Sequence, residues 1–337
     1  MFIRQHTGVK DKNRFVWFED WVIGRQTLNQ ISEESGYTTR TLSRYFHSYL
    51  SKSPVFSVYP SERVNLLIDG TYFTNDLCLI LYRDNTIKFT QLYRLTNGEW
   101  YEELKEDLEN LLKLGVQIES ITCDGHKALL KAVRKVCKQA IVQRCLVHIQ
   151  RMCRIWLTSR PQSQPGIELR RVVSKLHLIK TITDRDYWIV SLVNWYDQHQ
   201  TFINEKSFNT DSSRYWYKHK LLRRSFMVIK KALPDMFHYL DNPRIPKSTN
   251  GLESFFGHLK GNLNIHRGLS HAHRKEFILW YLYLKNKKAG HWVFLAIQTQ
   301  NILNKKAGLF IQLMFIVADT IADKLHSCRA CFLLYLQ

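Results

Sequence analysis

The sequence predicts an α/β fold: a mixed sheet with helices on both faces, preceded by a helical segment and interrupted by an all-helical insertion. Three observations predict it. From Val64 to Cys145, β-prone runs and amphipathic stretches follow in the order strand, strand, strand, helix, strand, helix, strand. Two of those runs end in an Asp-Gly pair, at Asp69-Gly70 and Asp124-Gly125. The strand signal then disappears between Leu146 and about Asn242, and the segment Asn250-Gly251-Leu252-Glu253-Ser254-Phe255-Phe256 opens a helix that would return the chain to the sheet.

Taken in order, residues 1–15 are polar and basic, and 16–50 read as helices. Thr27 to Phe46 has helix-turn-helix grammar: Leu28 and Ile31 face inward on the first helix, Gly36 suits a turn where φ is positive, and Thr38 caps the second. Leu42 and Phe46 lie four apart on one face, which leaves Thr39, Arg40, Ser43 and Arg44 free to face a major groove. A plain helical hairpin would carry the same pattern.

Ser51 to Pro60 is a linker rich in Ser and Pro. Val64 to Phe73, Leu77 to Tyr82 and Ile87 to Leu95 then form a meander with short turns. Glu99 to Leu114 is an amphipathic helix stopped by Gly115, Val116 to Cys123 a strand, Lys127 to Cys137 a helix, and Ala140 to Cys145 a strand. This is the element order of a ribonuclease-H-like core. The expected division is a helix-turn-helix module over 1–50, a linker over 51–60, the core over 61–145 and 246–288, and the helical insertion over 146–245. Residues 289–337 are apolar and poor in charge, and are expected to be an atypical tail outside the core.

Composition narrows the function. Lys and Arg outnumber Asp and Glu by 49 to 29, for a formal net charge of +20 in 337 residues. Such an excess points to nucleic acid or an anionic membrane. The cations are dispersed among aromatics, which favours nucleic acid. No apolar run is long enough to span a bilayer; the best, Gly308 to Ala318, is short and contains Gln312. The N-terminus lacks a signal-peptide pattern, and seven cysteines without a disulfide-framework spacing indicate a reducing, cytoplasmic setting.

The chemistry rests on carboxylates. Asp69 and Asp124 end strands and Glu253 stands in the first turn of a helix, so the fold can bring all three together. Such a set holds divalent cations, and two of them can activate an attacking oxygen and stabilise a leaving oxygen at a phosphodiester. Mg²⁺, or Mn²⁺, suits carboxylates that share the ion with water and phosphate. Each acid also has an ordinary explanation: Asp-Gly is a common turn, and Asn250 with Glu253 is capping-box geometry. Asp76, Asp84 and Asp107 read as inert loop or surface acids. Cys145 and His148, with Cys137 and Cys153 nearby, are a conceivable zinc set of unrecognised spacing, and no zinc is expected there or at Cys328 and Cys331.

Over roughly residues 25–288 the chain resembles the Mutator-like DDE transposases of bacterial insertion sequences. Asp69-Gly70-Thr71 is similar to the first catalytic motif, and Asp124-Gly125, 55 residues on, to the second. Cys145-Leu146-Val147-His148 resembles the Cys-x-x-His motif after the fifth strand. Glu253 follows Asp124 by 129 residues, room for an insertion domain, and Lys260 stands seven residues later, where many DDE enzymes carry Lys or Arg. Many relatives carry a zinc ribbon before the helix-turn-helix, whereas no cysteine precedes Cys78 here, so a truncated start is expected.

The resemblance implies metal-dependent DNA cleavage and strand transfer, with Asp69, Asp124 and Glu253 as catalytic metal ligands and Cys145 and His148 beside them. It implies DNA partners, both terminal inverted repeats and target, and a homodimer on DNA. Lys260 would touch phosphate or an end base, and His266, Arg267 and the cations to Lys275 would track phosphates. Trp216, with Arg214 and Tyr217, could stack a base, although a Trp in a helical bundle is more often core, the expectation preferred here. The rival reading is an inactive DNA-binding remnant or a repressor of its own element. A structure-specific nuclease or resolvase on the same core is a further alternative.

Overall fold

The computed structural model describes residues 7–59, 63–74, 77–209 and 214–289. Three helices open the chain: α1 (Thr7–Ile23), α2 (Leu28–Ser35) and α3 (Thr39–Leu50). The sheet region follows, with β1 (Val64–Thr74), β2 (Leu77–Asp84), β3 (Phe89–Thr96), α4 (Tyr101–Lys113), β4 (Ile118–Cys123), α5 (Lys127–Val136) and β5 (Ile141–Arg144). The five strands form one mixed sheet in the order β3-β2-β1-β4-β5. β1 pairs antiparallel with β2 and parallel with β4, and β5 is parallel to β4. The expected α/β class and element order are those observed.

Alternation along β1 sends its side chains to two separate cores. Val64, Leu66 and Ile68 pack with α4 and α5 through Leu104, Leu108, Leu129 and Val133. Leu67 belongs to the other core, with Leu252, Phe255 and Phe256 and with Phe18, Trp21, Ile31, Leu42 and Phe46 of the first three helices. Leu252, Phe255 and Phe256 come from α11 (Asn250–Ile265), the helix that follows the insertion. A last helix, α12, runs over 271–289 and adds Phe277, Ile278 and Tyr281 to the same core.

The N-terminal helices are thus packed onto the sheet's α11 face. Asn262 Nδ2 donates to the Val22 carbonyl at 3.2 Å, and Trp280 Nε1 donates to the Tyr49 and Lys52 carbonyls at 3.1 and 3.0 Å. Between α2 and α3 the anticipated turn is present. Gly36 takes φ 73°, a left-handed conformation that a Cβ disfavours, and the Thr38 hydroxyl accepts the Thr41 amide. Ile31, Leu42 and Phe46 are buried, Leu28 is half-buried, and Arg40 and Arg44 are exposed.

The insertion has its own core. It comprises α6 (Leu146–Leu157), α7 (Gln164–Ser174), α8 (Ile182–Ile203), α9 (Lys220–Ala232) and the short α10 (His238–Asp241). Trp188 and Trp195 are buried among Leu169, Leu192, Phe226 and Met236. The insertion is not all-helical: β6 (Lys206–Phe208) and β7 (Tyr215–Tyr217) pair antiparallel. Three residues per strand are too few to show an alternating pattern, so this ribbon left no trace in the periodicity.

Two acids expected at the surface are buried. Asp84 accepts the Thr86 amide at 2.7 Å, closing the turn after β2. Asp107, also buried, accepts the Tyr82 hydroxyl at 3.0 Å and pairs with Arg94 at 2.6 Å. Its partners come from other elements, which hydropathy along a helix does not reveal. Asp76 and the tail from residue 290 onward lie outside the described residues.

Candidate active site

The middle of β1, the end of β4 and two helices converge on the site; Asp69 does not end its strand as expected, because β1 stays paired with β2 as far as Thr74. Ile68 is opposite Cys123 in the parallel β1–β4 pair, so Asp69 and Asp124 occupy the next positions on neighbouring strands. Asp69 lies two residues beyond Leu67, on the face covered by α11. The first turn of α11 lies directly over Leu67: a Cβ on Gly251 would meet Leu67 Cδ1 at 3.6 Å. Glu253, two residues past Gly251, is thereby carried toward Asp69. One ligand atom each from Asp69, His148 and Glu253 lie within 4.8 Å of one another.

Asp124 is oriented differently from the other two acids. Its Oδ1 accepts the His126 amide at 2.7 Å, and it is not one of the three residues just grouped. Its charge still reaches the site. Burial, opposed by His148 and reinforced by Asp124, pushes the Asp69 carboxyl up to about 6. The loop holding Asp124 is braced by Arg144, whose Nη2 donates to the Asp124 carbonyl at 3.1 Å. That guanidinium lies where a Cβ on residue 125 would stand, and Gly125 has φ +94°. Glycine is required there on both counts.

His148 comes from α6, which begins directly after Cys145. Its Nδ1 is 3.2 Å from Cys145 Sγ and 3.3 Å from the Thr249 hydroxyl, and its Nε2 faces Glu253 Oε1 at 3.5 Å. Burial disfavours the imidazolium, yet Cys145, Asp69 and Asp124 outweigh it and hold the ring at about 9. Burial likewise opposes a Cys145 thiolate, but His148 and Thr249 bring the thiol below its ordinary value. Cys137 is buried with α5 and Cys153 within the insertion core, so neither joins Cys145 and His148. The four-residue zinc set is not assembled.

Glu253 makes no capping box. Thr249, not Asn250, precedes the first turn of α11, and its hydroxyl is directed at Cys145 and His148 instead of a helix amide. Glu253 Oε2 accepts from Arg151 Nη2 at 2.8 Å. Its Oε1 is buried without a hydrogen-bond partner, the His148 separation being an ion-pair distance. A buried carboxylate oxygen left in that condition beside Asp69 and a histidine fits a divalent cation.

Sequence reasoning missed four residues here. Arg151 is three residues after His148 and so on the same face of α6, a spacing that could have revealed it. Thr249 and Arg144 gave no signal of their own. Glu99 precedes α4 and lies against Gly70, with Oε2 3.2 Å from His126 Nδ1. Burial and Asp124 both raise its carboxyl.

The expected DNA contacts are distributed. Lys260 and Arg267 line one cleft together with Tyr72, Asn264 and Arg274. His266 is not available to phosphate: its ring lies 4.4 Å from that of Trp21, and Nε2 bonds the Trp21 carbonyl at 3.0 Å. Burial lowers its pKa accordingly. Trp216 is not core, since it is 54% exposed on the ribbon beside Tyr215 and Tyr217. Arg40 and Arg44 are exposed on α3, whose Ser43 and His47 line a second cleft together with Arg267. Among the described residues no helix is long and apolar enough to cross a membrane.

Residues 93–260 match the family described as Transposase, Mutator family. The matched span runs from β3 to Lys260 and includes Asp124, Cys145, His148, Arg151 and Glu253, while Asp69 precedes it. No curated protein matches the chain.

Proposed function

We infer that this chain, which belongs through residues 93–260 to the Mutator family of transposases, cuts and joins DNA at the ends of an insertion sequence. Its sheet and flanking helices would be a ribonuclease-H-like core. The observation that carries the reading is the grouping of Asp69, His148 and Glu253 within 4.8 Å, with Asp124 at the adjoining strand end.

Asp69, Glu253 and Asp124 would hold the divalent cations, Mg²⁺ or Mn²⁺, with His148 beside them. When bound, a metal pair activates the attacking oxygen and stabilises the leaving oxygen. The chain's own residues prepare that site. Arg151 holds one Glu253 oxygen, which leaves the other directed at Asp69 and His148. Arg144 and Gly125 set the Asp124 loop. A protonated His148 offsets the negative charge of the acids before phosphate arrives.

In this reading water attacks the phosphodiester at the element's end and releases a 3′-hydroxyl. The hydroxyl then attacks a second phosphodiester and joins the strands. Positioning does most of the work, because no covalent enzyme intermediate is needed. Lys260 and Arg267 would contact the backbone along α11, Arg40 and Arg44 would read terminal repeats, and Trp216 would stack an unpaired base. Two ends must meet, so the working form would be a homodimer on DNA.

The test is a metal-dependent nick. The full chain is incubated with labelled duplex carrying the element's terminal repeat, with Mg²⁺, with Mn²⁺, or with chelator. Nicking that leaves a 3′-hydroxyl and requires metal supports the reading. Binding without cleavage in any metal would favour the repressor alternative.

A further inference from the structure

We propose that the outward face of α5 is a second DNA track, which holds the duplex into which a cut end is joined. The proposal rests on the reading of the site as a DNA-joining centre and assigns the surface that would take its second substrate.

Lys127, Lys131, Arg134 and Lys135 are all exposed on α5, and Lys138 follows just beyond its end. Their spacing places them in one stripe, while Leu129, Ala132 and Val133 are buried on the opposite side against the sheet. Arg134 pairs with Asp235 at 3.0 Å, and Lys131 lies 4.2 Å over the Tyr101 ring. Among the described residues no carboxylate pairs with Lys127, Lys131, Lys135 or Lys138. Like charges at this spacing destabilise a helix, so the stripe has a cost unless a polyanion covers it.

The position of the stripe favours the same partner. α5 starts immediately after His126, whose amide holds Asp124, so the stripe begins at the candidate site. The rise of the helix from Lys127 to Lys135 carries it about 12 Å away. α5 covers the sheet face opposite the one that carries α11 and the N-terminal helices. A duplex held by α3, Lys260 and Arg267 would leave α5 free. Four of the five cations are lysines, which meet phosphate as point charges and do not select bases. A duplex of arbitrary sequence is what such a surface recognises.

The experiment compares the full-length chain with Lys131→Glu/Lys135→Glu. Three quantities are measured: the salt dependence of binding to a random-sequence duplex without metal, end cleavage, and joining of a pre-cut end to that random duplex. The log–log salt slope is expected to fall by about two, roughly 0.9 for each phosphate that is no longer neutralised. Joining should drop by about tenfold or more while end cleavage stays within about twofold, because only the phosphate track is altered. Lys131→Arg/Lys135→Arg should keep joining at the wild-type level. An unchanged slope and unchanged joining would overturn the proposal and leave the cleavage reading intact. Equal loss of cleavage and joining would place the end DNA on α5, which also overturns it. If the unaltered chain neither binds nor cuts DNA, the functional reading fails, and that outcome is distinct from the others.

Discussion

Arg151 Nη2 stands 2.8 Å from Glu253 Oε2, although the two residues are 102 positions apart and most of the insertion lies between them. The bond ties the first helix of the insertion to the helix that resumes the core. It also commits one carboxylate oxygen, so that the other faces Asp69 and His148. An orienting partner of this kind acts through the ligand it holds. Arg151→Ala should therefore weaken metal affinity and cleavage together by about 10–100-fold, with Arg151→Lys intermediate. A Mn²⁺ titration of cleavage checks this; an unchanged half-saturating concentration would show that Arg151 has no orienting role.

Asp69→Asn, Asp124→Asn and Glu253→Gln should each abolish cleavage and leave binding to end DNA nearly intact. A gel-shift assay beside the nicking assay measures both. Asp124 is the informative member, because its Oδ1 is already engaged by the His126 amide. Full activity of Asp124→Asn would restrict the catalytic set to Asp69, His148 and Glu253.

Gly125→Ala should destabilise the chain by about 1–3 kcal/mol, the scale of a non-glycine residue forced to positive φ. The added methyl also collides with the Arg144 guanidinium. Urea denaturation reads the loss. Pairing the change with Arg144→Ala removes the collision but not the backbone strain, so recovery should be partial.

Arg40→Ala or Arg44→Ala should weaken binding to end DNA by about 1–3 kcal/mol if the side chain reads a guanine edge, with little effect on random duplex. Neither should lower the melting temperature measurably, since both side chains are exposed. A uniform loss across sequences, with a shallower salt slope, would assign them to phosphate instead.

Asp107→Ala should cost about 1–3 kcal/mol, the scale of a buried donor left without its acceptor. The Tyr82 hydroxyl would lose its acceptor, while Arg94 would keep Glu106 at 2.7 Å. A denaturant midpoint unchanged from wild type would show that the pair contributes nothing to stability.

Local and periodic features were legible in the chain alone. The five strands, the helices between them and the turn at Gly36 could be read because alternation, helical spacing and glycine placement are properties of neighbouring residues. Asp69 and Asp124 were legible as a pair because each follows an apolar run, although β1 continues past Asp69 to Thr74, and Glu253 because it opens a helix. Tertiary structure decided the remainder. It packed the first three helices onto α11 and α12 through Trp21, Phe46 and Phe277. It turned Thr249 toward Cys145 instead of a helix amide, buried Asp84 and Asp107, drew in Glu99 and Arg151, and left Trp216 exposed on a ribbon too short to be periodic. The physical reason is common to these cases. Burial, hydrogen-bond partner and charge environment depend on which elements meet in space, and at this site those elements are separated by well over a hundred residues of chain, as Asp69 and Glu253 are.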